Sequence, residues 1–315
     1  MLRKFFTAAL IAVLTMVFTA CGNSSAGEDK STINSKAAEG KISVVVSFNP
    51  LREFAEAVGG DKVDVRVIVP EGMEPHDFEP KPRDMENIMK AKVFVYNGLG
   101  MEGWTEKTLS AIENKNLQVV DASKGAELIK TSHQDEEESK EDSHEHGDFD
   151  PHIWLSLKEA KNEAKNIKEA LIKADLENKD YYEKNYEAFA SKLDALYNEY
   201  KTKFEGLSNK NFVTGHAAFA YLCRDFGLKQ SSVESVFAEG EPTPQKLKEL
   251  IDFGKANNIK VIFMEELASP EVSKTIANEV GAKVEKIYTI ESREDNKDYV
   301  QSMRDNLEKI YSSLK

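Results

Sequence analysis

Residues 42–69, ISVVVSFNPLREFAEAVGGDKVDVRVIV, hold two β-branched runs, Ile42–Phe48 and Val63–Val69, on either side of a helical stretch. Valine and isoleucine are stiff at χ1 and fit a pleated sheet, and short apolar runs separated by helices are the mark of a parallel sheet covered on both faces. The same grammar continues with strands expected at Val93–Tyr96 and Leu117–Val120. It returns later in the chain at Asn211–Thr214, Ser232–Val236, Lys260–Met264 and Lys283–Ile287, with helices such as Thr243–Ala256 and Pro270–Val280 between the strands. Repeated βα units of this kind predict an α/β fold of two β/α lobes with mostly parallel sheets.

Between the two sets, Tyr182, Tyr186, Phe189, Leu193, Leu196, Tyr200 and Phe204 recur at steps of four, three, four, three, four and four. That spacing puts all seven on one face of a single long amphipathic helix. The expected organisation is an N-terminal lobe over residues 41–174, a stiff linking helix over 175–206 and a C-terminal lobe over 207–315.

Upstream of the first lobe, Arg3 and Lys4 precede an apolar run from Phe5 to Ala20, which reads as a secretory signal over residues 1–20. The run ends in Phe18-Thr19-Ala20-Cys21-Gly22, which resembles the lipobox of bacterial lipoproteins, with Cys21 as the lipidated mature N-terminus. Residues 21–40, with Ile33 as the one large apolar residue after Cys21, are too polar to fold and read as a tether between lipid and domain. With Cys21 consumed, Cys223 is left alone in an apolar context, so no disulfide framework is available and Cys223 reads as a small buried hydrophobe.

The net charge is −13, and the loss of Arg3 and Lys4 with the leader makes it −15, which argues against a nucleic-acid partner. Acidity favours cations without choosing among them. The choice rests on six histidines. Three of them, His133, His144 and His146, lie in the acidic low-complexity stretch 131–149, expected to be a disordered surface loop whose imidazoles and carboxylates hold a cation weakly.

The other three follow strands or precede helices: His76 in Glu74-Pro75-His76-Asp77-Phe78-Glu79-Pro80, His152 in Asp150-Pro151-His152-Ile153-Trp154-Leu155, and His216 in Thr214-Gly215-His216-Ala217-Ala218-Phe219. Loops at the ends of strands are where open α/β sheets bind ligands, so histidines from both lobes can converge on one cleft. Imidazole suits zinc, copper and nickel, whereas carboxylate-rich sites suit manganese and magnesium; three imidazoles point to zinc ahead of the other two. A fourth donor completes a tetrahedron: Glu291 is proposed, with Glu265, Glu266 or a water molecule as rivals.

These three motifs, in this order and with Glu239-Gly240-Glu241-Pro242-Thr243-Pro244 in support, resemble the cluster A-I solute-binding lipoproteins of metal ABC importers over essentially all of residues 41–315. The resemblance implies two β/α lobes joined by one long helix, a metal ion bound between them, small motions on binding, and delivery of zinc to an ABC permease from the outer face of the membrane. In the zinc branch the third motif carries histidine, as His216 does here, and the loop rich in His and acid belongs to that branch too. The family's fourth position commonly holds Asp, and Glu291 aligns with it. A monomer that is no enzyme follows. The rivals are a manganese or iron importer subunit, an adhesion lipoprotein whose metal is structural, and a zinc hydrolase; no His-Glu-x-x-His helix or Gly-x-Ser-x-Gly elbow supports the last.

Overall fold

A computed structural model describes residues 40–131, 147–237, 242–266 and 270–315. The leader, Cys21 and nearly all of the tether lie outside the described residues, as do His133, His144 and His146.

The first lobe is built from β1 (Ile42–Val46), α1 (Asn49–Gly59), β2 (Val63–Val67), α2 (Pro82–Lys90), β3 (Val93–Tyr96), α3 (Thr105–Ser110), β4 (Gln118–Asp121) and α4 (Leu157–Ala174). A long helix, α5 (Lys179–Glu205), leads into the second: β5 (Asn211–Thr214), α6 (Ala220–Phe226), β6 (Lys229–Ser232), α7 (Pro244–Ala256), β7 (Val261–Met264), α8 (Pro270–Val280), β8 (Lys283–Lys286) and α9 (Tyr299–Ser313). Among the described residues the strands form two four-stranded parallel sheets, ordered β2-β1-β3-β4 and β6-β5-β7-β8. The protein is therefore α/β, and the second sheet repeats the topology of the first.

One strand departs from expectation. The β-branched content of Ser232–Val236 suggests a strand there, but β6 occupies Lys229–Ser232, pairing Asn211 with Lys229 and Thr214 with Ser232. An edge strand pairs on one side only, so a polar sequence such as Lys-Gln-Ser-Ser serves, and Val233 is instead buried in the turn that follows.

The apolar stripe of α5 does what its spacing requires. Tyr182, Phe189, Leu193, Leu196, Tyr200 and Phe204 are buried, while Tyr186 is half-buried. Each such side chain contributes about 1.5–3 kcal/mol when fully buried, enough collectively to fix the helix along its length. Phe54 of α1 packs edge-on against Tyr299 of α9 with ring centroids 4.8 Å apart and lies 5.8 Å from Phe189 of α5. The first helix, the long helix and the last helix thus share one core. A smaller core of Val213, Leu250, Ile262, Ile276 and Ala277 lies under α7 and α8. Cys223 is buried in the larger core, and burial pushes its thiol well up, as a packing residue requires.

The acidic stretch 131–149 is ordered at its ends, contrary to a wholly disordered loop. Thr131 donates to the Asp148 carbonyl at 3.1 Å, Asp150 to the Ile129 carbonyl at 2.9 Å, and Lys130 bridges Phe149 in antiparallel fashion. Short-range backbone pairing supplies the order that composition hides.

Candidate metal centre

Each of the three histidines stands in a connection at the carboxyl side of a sheet. His76 sits between β2 and α2, beyond a turn in which Gly72, at φ 78°, reverses the chain and donates its amide to Ser292 Oγ at 2.8 Å. His152 directly precedes a short 3₁₀ turn, Ile153–Leu155, and then α4, whose N-cap Ser156 accepts the amides of Lys158 and Glu159. His216 lies in the turn after β5, and α6 begins only at Ala220.

The three rings converge. Ring centroids are 4.7 Å apart for His152 and His216, 5.4 Å for His76 and His152, and 6.3 Å for His76 and His216. One ligand atom from each lies within 4.8 Å of the others, the one such group of His, Cys, Asp or Glu among the described residues that can hold a metal ion. Donors around a tetrahedral zinc at about 2.0–2.1 Å stand roughly 3.4 Å apart, so the cluster needs a contraction of about an ångström to close on an ion. Glu291, in the connection between β8 and α9, brings Oε1 to 4.0 Å from His152 Nε2. Its other oxygen accepts from Thr289 Oγ1 at 3.0 Å, while Oε1 is buried and without a hydrogen-bond partner. The backbone just before it is unusual: Ile290, β-branched, has φ 65°. Its carbonyl accepts from Asn49 Nδ2 at 3.0 Å, and the Thr289 carbonyl accepts from Trp154 Nε1 at 2.7 Å.

Hydrogen bonds fix the tautomers. His152 Nδ1–H donates to Asp150 Oδ1 at 2.8 Å, leaving Nε2, buried and without a partner, as the donor atom for a cation. A carbonyl only accepts, so the 2.7 Å contact between His216 Nε2 and the Val236 carbonyl places the proton on Nε2 and leaves Nδ1 with its lone pair. Burial, and then the neighbouring His152, lower the pKa of His216 to about 3. It is neutral throughout the physiological range.

Glu265 and Glu266 separate sharply. The Glu265 carboxyl is buried and accepts the amides of Gly215 at 3.1 Å and His216 at 3.2 Å, so both oxygens are committed to the turn that carries His216. Burial raises its pKa to about 8. Glu266 is exposed. Burial, and then the charge of Glu74, hold Glu291 well above the usual carboxylate range, and Glu74 is itself raised by burial against the opposing pull of His152. Burial and the closeness of two carboxyls disfavour negative charge here until a cation arrives to offset it.

Sequence reasoning overlooked Asp150 as the orienting partner of His152, Glu265 as a brace and Glu74 as a second nearby carboxyl. Asp150 and Glu74 each carried the same local signal, an acid two residues before a candidate ligand, and Glu265 carried none. A cavity of about 260 Å³ is lined by Asn49, Arg52, Val67, Ile68, Val69, Pro70, Glu71 and Glu291. It reaches Glu291 and none of the three rings.

Residues 44–313 match the sequence model of the family described as zinc-uptake complex component A, periplasmic. The high-affinity zinc uptake system protein ZnuA of Bacillus subtilis is 38% identical over 323 residues, spanning 100% of this chain and 99% of that protein. Among solved structures, the Zn(II)-bound form of an AdcAII variant of Streptococcus pneumoniae has a TM-score of 0.78 at 33% identity, covering 88% of this chain and 99% of that one. The laminin-binding protein Lmb of Streptococcus agalactiae, described as bifunctional with adhesin and metal-transporting activity, also reaches 0.78 at 36% identity, over 87% of this chain and 100% of its own. A match over nearly the whole of both lobes, with three histidines gathered at the carboxyl ends of the two sheets, places the chain in the zinc-uptake complex component A family of solute-binding proteins.

Proposed function

We propose that this protein captures zinc outside the cytoplasm and delivers it to an ABC permease for uptake, with His76, His152, His216 and Glu291 as the ligands. The observation that carries the reading is the convergence of three histidines from both lobes on one buried point, with the outward nitrogen of His152 fixed as a proton donor to Asp150. Three imidazoles and one carboxylate are the borderline donor set that favours zinc over manganese. His152 is fully buried and His216 nearly so, an enclosure that suits a bare ion better than a substrate held beside a metal-bound water. Binding and release, without catalysis, is the reading this favours.

Within the same proposal, residues 1–20 are a leader, Cys21 carries the lipid, residues 21–40 are a tether, the lobes span 41–174 and 207–315 about a linking helix at 175–206, and the protein acts as a monomer at the outer face of the cell membrane. No helix among the described residues is long and apolar enough to cross a membrane. His133, His144 and His146 act as an auxiliary, weaker collector of the same ion.

The test is competitive titration of zinc against manganese, on the wild type and on His216→Ala. Tight one-to-one zinc binding that exceeds manganese binding and is lost in the variant supports the reading. Manganese preference, or zinc binding indifferent to His216, sinks it.

A further inference from the structure

Tyr221 is fully buried on α6, five residues after His216, and has no part in the ligand set. Its hydroxyl makes two hydrogen bonds: it donates to the Asp150 carbonyl at 2.7 Å and accepts the Ile129 amide at 3.1 Å. Burial pushes its phenol up to about 12, so it remains a donor at any physiological pH. Asp150 is the residue whose Oδ1 accepts both the backbone amide of His152, at 2.9 Å, and its ring Nδ1–H, at 2.8 Å. One short path therefore joins two of the proposed zinc histidines. It runs from His216 along the start of α6 to Tyr221, across to Asp150 and on to the ring of His152.

The rest of the Asp150-Pro151-His152 turn is held from its own lobe. Asn97 Nδ2 donates to the Pro151 carbonyl at 2.9 Å, and the Asp150 amide to the Ile129 carbonyl at 2.9 Å. Among the hydrogen bonds to Asp150, Pro151 and His152 found among the described residues, the Tyr221 bond is the one that comes from a side chain of the C-terminal lobe. A ligand whose ring is aimed by a carboxylate is only as well aimed as the backbone bearing that carboxylate. At a fully buried position no water takes the place of a missing hydroxyl.

We propose that Tyr221 is a positioning residue for zinc: its hydroxyl reaches across from the C-terminal lobe to hold the Asp150 turn that aims His152, so that the lobe bearing His216 also sets the ring of its partner ligand. The proposal rests on the zinc reading above. Because Tyr221 acts through Asp150, its effect disappears where Asp150 no longer takes the His152 proton.

The experiment is a cycle of wild type, Tyr221→Phe, Asp150→Asn and the double variant, read by zinc competition against a chromogenic chelator and by the absorption bands of bound Co(II). Tyr221→Phe weakens zinc binding by about three- to tenfold and shifts the Co(II) bands, and it adds nothing further in the Asp150→Asn background. An unchanged affinity and spectrum in Tyr221→Phe overturns the proposal, as does full additivity of the two substitutions, which marks a general loss of stability. A wild type that binds no zinc, or a His152→Ala variant that binds it as tightly, overturns the underlying reading as well; tight wild-type binding through His152 with an indifferent Tyr221→Phe overturns this inference alone. Should the variant fail to fold, amide exchange in the wild type decides: zinc slows exchange at Ile129, whose amide bonds the Tyr221 hydroxyl, along with that at His152, and an Ile129 amide indifferent to zinc overturns the proposal.

Discussion

Glu265 Oε1 accepts the backbone amide of His216 at 3.2 Å, while Oε2 takes the amide of Gly215 at 3.1 Å. A carboxyl that reads in the sequence as a rival ligand is thus the support beneath a candidate one. Glu265→Gln keeps one acceptor and loses the other, and zinc affinity is expected to fall about tenfold, the low end for a residue orienting a metal ligand. Glu265→Ala loses more and lowers the melting temperature as well. Glu266→Gln, at an exposed neighbour, leaves zinc titrations unchanged, and a loss there would return Glu266 to the ligand set.

Asp150→Asn removes the charge that faces His152 Nδ1 while keeping the size of the side chain. The asparagine can present its amide N–H to the ring, which would drive the ring proton to Nε2, the atom that faces Glu291. Zinc affinity is expected to drop by about 10- to 100-fold, measured by competition at fixed pH, with secondary structure by circular dichroism unchanged.

Zinc binding should release protons, chiefly from Glu291 if it is the fourth ligand proposed above. Its carboxyl is held well above the usual range by burial and by Glu74, and a carboxyl gives up any proton it holds when it ligates a metal. His216, lowered to about 3, contributes none. Titration calorimetry in buffers of different ionisation enthalpy reads the proton count, and Glu291→Gln should abolish most of it; an unchanged count in that variant would assign the proton elsewhere.

The metal-free protein should lose stability as pH rises from about 4.5 to 8, while the stabilisation by zinc grows. Glu102 at about 7 and Glu265 at about 8 are both raised above the unfolded value of 4.5, chiefly by burial. The stability such groups confer is present below the unfolded pKa and lost as pH rises through the folded one. At about 1.4 kcal/mol per unit, Glu102 alone accounts for a change of order 3 kcal/mol. His216 works the other way, its depressed pKa costing stability only as pH falls below about 6.5 toward 3. Thermal melts with chelator and with zinc, across that range, should therefore diverge; parallel curves would contradict the assignment.

His76→Ala should weaken zinc strongly, whereas deleting residues 133–147 should change capture or transfer more than intrinsic tightness. Equilibrium affinity and the rate of zinc transfer to a competing chelator, compared for the two variants, separate these roles.

Much of the architecture is local, and the sequence by itself determines it. Runs such as Val93–Tyr96 and Asn211–Thr214 become strands with those bounds because β-branched residues between turn signals have little alternative, and the stripe from Tyr182 to Phe204 can only bury one face of a helix. The three histidine motifs were likewise legible, since each stands where a strand has just ended or a helix is about to begin. What the tertiary structure alone decided is everything that depends on which groups meet across the lobes. Glu265 and Glu266 are neighbours of one chemistry, yet the path of β7 commits one to two backbone amides and leaves the other in solvent. The polar edge strand Lys229–Ser232 exists because β5 offers it partners, a long-range pairing that its own residues do not announce. Glu291 approaches His152 because Asn49 and Trp154 hold the carbonyls before it, and Tyr221 reaches Asp150 across 71 residues of sequence. Hydrogen bonds of this kind draw their strength from burial, and burial is a property of the assembled lobes that no local stretch of chain carries.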